Sequence, residues 1–359
     1  MERMKYAEPG PDLESIRYAA SREHLKERRQ ECQTQLEQLR TVLPIASWTT
    51  MVNDMHDEIA SRAAILCELE LEAAGYGPPP VPYAFVVFGS SGRRESTLWS
   101  DQDNGLILSD EEHEDKEMYF HAFGRHLSHL LEYVGYEKCK GKVMCSESQW
   151  RKTLEDWRLQ LASWHQDFSW EPVRSLMIAS DMRFIAGEPS LALAWKRCFE
   201  HSMNESPEMA TAILRNTVRH KATLNVLGQV VTERFGEHAG DFDVKYGVYI
   251  PLVNSIRYMA LQEGIRETST LKRLERLTLL DGGNMLFENC QRAFLTALSL
   301  RAAVSHTVKN GIYSSSGYLP QSELKNKTLL YQLRDSLTTV RRIHRALQRR
   351  LRFVERRKL

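Results

Sequence analysis

The sequence predicts an α+β protein in which a small mixed-sheet domain is flanked by an N-terminal helical segment and a large C-terminal helical domain. Three observations carry this. Apolar residues recur at helical spacing on both sides of the region 77–195. Within that region an aromatic and β-branched run, Tyr83 to Phe88 (YAFVVF), reads as a buried strand. Beyond residue 195 nearly everything is helical in pattern, interrupted near 236–247, 281–284 and 310–320. The expected division is therefore 1–76, 77–195 and 196–359.

Residues 11–75 place Ile59, Ala63, Leu66, Leu69 and Ala73 on one helical stripe, and Gly75 follows as a stop signal. Gly77-Pro78-Pro79-Pro80-Val81-Pro82 cannot continue a helix and reads as a stiff connector into the first strand. A second strand is expected over 104–109, and a helix over 112–134 with Phe123, Leu127, Leu130, Leu131 and Val134 on one side. The stretches 139–146 and 181–186 are further strand candidates.

At 359 residues with 42 % hydrophobic and 26 % charged residues, the chain can bury a sizeable core. No apolar run reaches the ~20 residues of a membrane span, and the N-terminal residues lack a signal-peptide pattern, so a cytoplasmic protein without membrane contact is expected. Six scattered cysteines without metal-ligand spacing read as reduced thiols. Net charge is +1, so overall charge steers no polyanion.

The chemistry concentrates in FGSSGRRESTLWSDQDNGLIL, residues 88–108. Strand 83–88 delivers Gly89 and Ser90 to its end, 92–97 returns the chain, and Asp101 and Asp103 open the next strand. Residues two apart share a face of a strand, with Cα atoms roughly 6.5 Å apart, so the two carboxylates stand side by side. Such a pair repels itself unless a cation sits between, and magnesium suits oxygen ligands that also meet phosphates. Gly89 lets backbone approach a phosphate, the Ser90 hydroxyl can bond its oxygens, and Arg93 and Arg94 add positive charge.

This string resembles the active-site signature of the polymerase-β-like nucleotidyltransferase superfamily. More narrowly, it is similar to a nucleotidyltransferase group related to PII-protein uridylyltransferase and often fused to CBS and cyclic-nucleotide-binding domains. The match runs through Gly89, Ser90, Gly92, Arg93, Glu95, Ser100, Asp101, Gln102, Asp103 and Asn104. It continues through Gly135-Tyr136, Val143-Met144 and Asp181-x-Arg183 to Asp243-Val244-Lys245. The resemblance implies in-line attack on the α-phosphate of a nucleoside triphosphate (NTP), with two magnesium ions, or manganese, at Asp101 and Asp103. It implies a third carboxylate, for which Asp181 is the candidate, with Arg183 on the same face for phosphate; a local cap or salt bridge is the other reading of Asp181. Lys245 could reach the triphosphate or base from the helical domain, or be a solvated lysine at a helix start.

The implied acceptor is a protein in a signalling role, and a regulatory partner protein is compatible with the absence of any CBS, cyclic-nucleotide, HD-type or ACT-type segment. A non-catalytic nucleotide sensor and an RNA-directed transferase are the alternatives. Paired acids argue against the first. The second lacks the interleaved aromatic and basic residues of an RNA surface, so no nucleic-acid partner is expected. The tail 341–359 carries nine Arg/Lys against one Glu, with Ile343, Leu347 and Leu351 as its apolar stripe; it reads as the solvated side of a terminal helix or a docking face. His121, His126 and His129 share a helix without a zinc pattern, and Cys139 and Cys145 read as inert thiols.

Overall fold

A computed structural model describes residues 10–204, 207–219, 223–225, 228–282, 285–309 and 311–356. The N-terminal stretch forms α1 (Leu13–Arg17), α2 (Arg22–Leu39) and α3 (Ile45–Ala73). Of the expected stripe, Ile59, Ala63 and Leu66 are buried, whereas Leu69 is 51 % exposed. After the proline connector come β1 (Tyr83–Val87), the short helix α4 (Gly89–Arg93), β2 (Asn104–Leu108) and α5 (Lys116–Val134). Then follow β3 (Arg151–Thr153), α6 (Leu154–Gln166), α7 (Trp170–Ala179), β4 (Arg183–Gly187) and α8 (Pro189–Asn204).

These strands build one mixed sheet in the order β3-β2-β1-β4. β1 is antiparallel to both β2 and β4, and β3 runs parallel to β2. Every residue of β1 and β2 is buried because both faces of the sheet are covered. Phe85, Leu106 and Leu108 pack with α2, α3 and α5 on one face. Ala84, Val86 and Ile107 pack on the other with Trp150, Trp157, Trp164 and Trp195. Trp195 lies within α8 and meets Trp157 edge-on at 5.7 Å, so α8 belongs to the cover of this second face.

The strand expected over 139–146 does not form. Gly141 and Lys142 turn the chain there, Lys142 with φ of 55°, while Val143 and Cys145 bond Asn104 without entering the ladder. Its place beside β2 is taken by β3, whose residues Arg-Lys-Thr show no apolar alternation.

The C-terminal part is helical: α9 (Pro207–Thr217), α10 (Ile250–Gln262), α11 (Thr270–Leu280), α12 (Met285–Ala303) and α13 (Lys327–Arg356). A single π-helical turn, Lys245–Tyr249, leads into α10. Short pairs β5 (Phe242–Asp243) with β8 (Tyr318–Leu319), and β6 (His306–Lys309) with β7 (Ile312–Ser315), fill two of the expected breaks. Leu252, Ile256, Phe294, Leu333, Leu337 and Val340 form its separate core. Among the described residues no helix is long and apolar enough to cross a membrane.

Candidate active site

β1 ends at Val87, and the next residues turn at once. Gly92 N–H donates to Phe88 O at 2.8 Å and Glu95 N–H to Ser90 O at 2.8 Å, while Arg94 takes the left-handed conformation that ends the turn. Across from it, Phe88 N–H donates to Asp103 O at 2.9 Å, which prolongs the β1–β2 ladder by one bond beyond the assigned strand.

In the segment Asp101 to Asn104, alternate side chains go opposite ways. Gln102 and Asn104 are buried pegs: Gln102 donates to Ser128 O (3.0 Å) and Tyr136 O (3.3 Å), and Asn104 Oδ1 accepts from Cys145 N–H (2.9 Å). Asp101 and Asp103 are left half-buried. Burial, then the neighbouring Asp101 charge, push the Asp103 carboxyl well above the usual carboxylate range. The Cys139 thiol bonds Asp103 and, with the Lys245 and Arg93 charges, partly offsets that rise. Cys139 itself is pushed up to about 12, first by burial and then by Asp103, so it stays a protonated donor.

Gly89 is required here for two reasons. Its φ is +53°, and a Cβ at this position would overlap the Asp103 carboxylate. The space expected for an approaching phosphate is thus shared with Asp103. The adjoining Ser90 is half-buried, and among the described residues its hydroxyl has no bonding partner. Lys245, exposed at the start of the π turn, completes this group, since its charge reaches Asp103.

Arg93, Asp181 and Arg183 are placed differently. Asp181 is fully buried, and both its oxygens are taken by three guanidinium groups: Arg93 at 2.6 Å, Arg257 at 2.5 and 3.2 Å, and Arg273 at 3.0 Å. Burial opposes its ionisation, but Arg257, Arg93 and Arg273 outweigh that and hold the carboxyl far below its ordinary value. Arg93 also donates to Glu95 (2.8 Å) and to the Tyr249 hydroxyl (2.8 Å). Glu95 in turn accepts from Tyr249 (2.5 Å) and from Thr270 N–H (2.8 Å). Arg183 lies bidentate on Asp57 of α3, at 2.6 and 2.8 Å, and also donates to Ser91 O at 2.8 Å. The charged atoms of these residues are thus engaged with one another, with α3 and with the Gly89–Arg93 turn, which they hold in place.

Sequence reasoning missed Arg257, Arg273 and Tyr249. A signal existed: Arg273 falls in phase with Thr270, Leu274 and Leu277, the buried face of α11, and Arg257 interrupts an apolar run of α10. A charge on an apolar stripe asks for a buried partner. Away from this site, a groove of about 560 Å³ between α3 and α5 is lined by Glu70, His121, His126 and His129. Among the described residues no group of three His, Cys, Asp or Glu side chains could hold a metal ion, there or elsewhere.

Asp181→Asn should lower stability by about 3–5 kcal/mol in chemical denaturation, because it leaves buried guanidinium groups short of a counter-charge. The folded-state pKa is depressed, so that stability is present above the ordinary carboxylate value and is lost as pH falls toward the folded one. A near-wild-type midpoint would remove the structural role. Gly89→Ala should cost about 1–2 kcal/mol in chemical denaturation, because its Cβ would displace the Asp103 carboxylate; an unchanged midpoint would contradict this.

Two comparisons bear on what this arrangement does. Residues 30–170 match the family described as "putative nucleotidyltransferase DUF294", and residues 207–351 match "putative nucleotidyltransferase substrate binding domain". None of the curated proteins compared matches the chain.

Proposed function

The chain belongs to the DUF294 nucleotidyltransferase family, with the associated substrate-binding domain, and from that premise we propose that it transfers a nucleoside monophosphate from an NTP to a hydroxyl of a protein acceptor. The acceptor hydroxyl gives up its proton to solvent as its oxygen bonds the α-phosphorus, the bond from that phosphorus to the bridging oxygen breaks, and pyrophosphate leaves. The observation that carries this reading is Asp103, packed against Gly89 with its carboxyl pushed up by burial and by the charge of nearby Asp101.

The donor set suits a magnesium ion: two carboxylate groups, one disfavoured as a bare anion, beside an unengaged serine hydroxyl and an exposed lysine. Bound there, magnesium would neutralise triphosphate charge and sharpen the attacking oxygen. Ser90 donates to a phosphate oxygen, and Lys245 balances the triphosphate from the helical side. Arg93, Arg183 and Asp181 act by holding the Gly89–Arg93 turn in place. A regulatory partner and a cytoplasmic setting fit this reading.

A second reading, nucleotide binding without turnover, is favoured by one observation: Asp181 is consumed by arginines, and no third metal-binding side chain joins the pair among the described residues. Pyrophosphate release from each NTP in the presence of magnesium and a cell lysate separates the two.

Asp101→Asn and Asp103→Asn should each lower that release by a factor of a thousand or more while melting within a few degrees of wild type; wild-type turnover in either would sink the assignment. Lys245→Ala should raise KM for the NTP about tenfold with little change in melting, since an exposed lysine contributes little to stability. An unchanged KM would remove Lys245 from the triphosphate site.

A further inference from the structure

The outward side of α13 carries Arg342, Arg345, Arg349, Arg352 and Arg356, all exposed. Their spacing of three, four, three and four residues places them on one stripe, about 21 Å long at helical rise. Exposed Arg334 continues the same line two turns earlier. The opposite side, with Leu333, Leu337, Val340, Ile343 and Leu347, is buried in the core.

Among the described residues none of these arginines pairs with a carboxylate. Between Arg342 and Arg356 the one acid, Glu355, is taken by Arg215 of α9 at 2.7 Å; towards Arg334 the same side also carries one exposed acid, Asp335. Arg349 and Arg352 donate only to carbonyls of their own helix, at 3.3 and 3.4 Å. Like charges three and four residues apart destabilise a helix, so a docked polyanion would relieve a repulsion that the fold itself leaves standing.

The chemistry of the stripe narrows the polyanion. Every cation in it is arginine, whose planar fork matches phosphate oxygens. Phe353, 56 % exposed, follows Arg349 by four residues and precedes Arg356 by three, so it stands among the arginines. Tyr331, 75 % exposed, stands one turn before Arg334. Aromatic faces between arginines suit the bases of a single strand, whereas an acidic peptide would need the charges alone. A membrane surface is a poorer fit, because the apolar side of α13 is already buried and cannot insert.

We propose that the arginine stripe of α13 binds the phosphodiester backbone of a single nucleic-acid strand, with Phe353 as a stacking surface for one base. Phe353 already stands next to Arg352 in the sequence, whereas Tyr331 joins the arginines only when the chain is wound into a helix. The site is independent of the transfer reaction and stands or falls without it.

The test is fluorescence anisotropy on the full chain with a labelled single-stranded RNA of about 20 nucleotides, DNA of the same sequence, and polyglutamate as competitor. Binding should weaken roughly a hundredfold between 50 and 200 mM salt, as expected for about five phosphate contacts. The triple variant Arg342→Gln/Arg345→Gln/Arg349→Gln should bind about a hundredfold more weakly, with an unchanged melting curve because glutamine is as good a helix former. The corresponding Arg→Lys triple, which keeps the charge and loses the planar fork, should bind more weakly than wild type and more tightly than the glutamine triple. Equal binding of RNA and DNA assigns recognition to the backbone; a preference for RNA adds the 2′-hydroxyl, and both support the site. No binding at 50 mM salt, full binding by the glutamine triple, or displacement by polyglutamate as effective per charge as by unlabelled RNA would overturn it.

Discussion

The arrangement depends on one buried carboxylate. Asp181 sits where β4 begins, and its two oxygens gather Arg93 from the α4 turn, Arg257 from α10 and Arg273 from α11. Isolated, each of these charges would be costly to bury; together they satisfy one another's donors and acceptors. Glu95 and Tyr249 extend the network, and Arg301 of α12 adds a bond to Glu95 O at 3.1 Å and a stack on the Tyr249 ring at 4.0 Å. The helical part is thereby clamped onto the back of the Gly89–Arg93 turn. From the other side α3 holds the same turn, through Asp54 and Asp57 on Arg94 and Arg183, and through Asn53 on Ser96.

A turn held from two sides allows Asp101 and Asp103 to be placed with little freedom. The two acids do not open the strand as expected, since β2 begins at Asn104; only Asp103 joins the ladder, its carbonyl accepting from Phe88 N–H. Gln102 and Asn104 are anchored in the body of the protein, while Asp101 and Asp103, before and between them, are left half-buried. The missing side chain of Gly89 then leaves Asp103 room that any other residue would close. Repulsion between the acids is thus a consequence of anchoring their neighbours, and a cation is its natural remedy.

The fold class was legible because its cues are local. The aromatic and β-branched run of β1, the proline connector and the helical periodicities each need only a few residues of context. The closeness of Gly89 to Asp103 could likewise be anticipated, since a short return between antiparallel strands brings their ends together. The destination of Asp181 could not. Its partners lie 76 and 92 residues away along the chain, and a lone Asp-x-Arg on a strand reads equally as a ligand pair or as structural ions. Arg93 shows the same limit: a motif records that an arginine stands at a position but not which way its guanidinium turns. β3 was hidden for a different reason, being three polar residues that earn their strand geometry from β2 alone.

On the proposed function, Asp101 and Asp103 hold the metal and Asp181 holds the turn. Electron paramagnetic resonance of manganese with a non-hydrolysable NTP analogue tests it most directly. Wild-type protein should take up manganese, Asp181→Asn should do so at a temperature where it remains folded, and the double variant Asp101→Asn/Asp103→Asn should leave the ion in solution. Uptake by the double variant equal to wild type, or its loss in folded Asp181→Asn alone, would contradict the account.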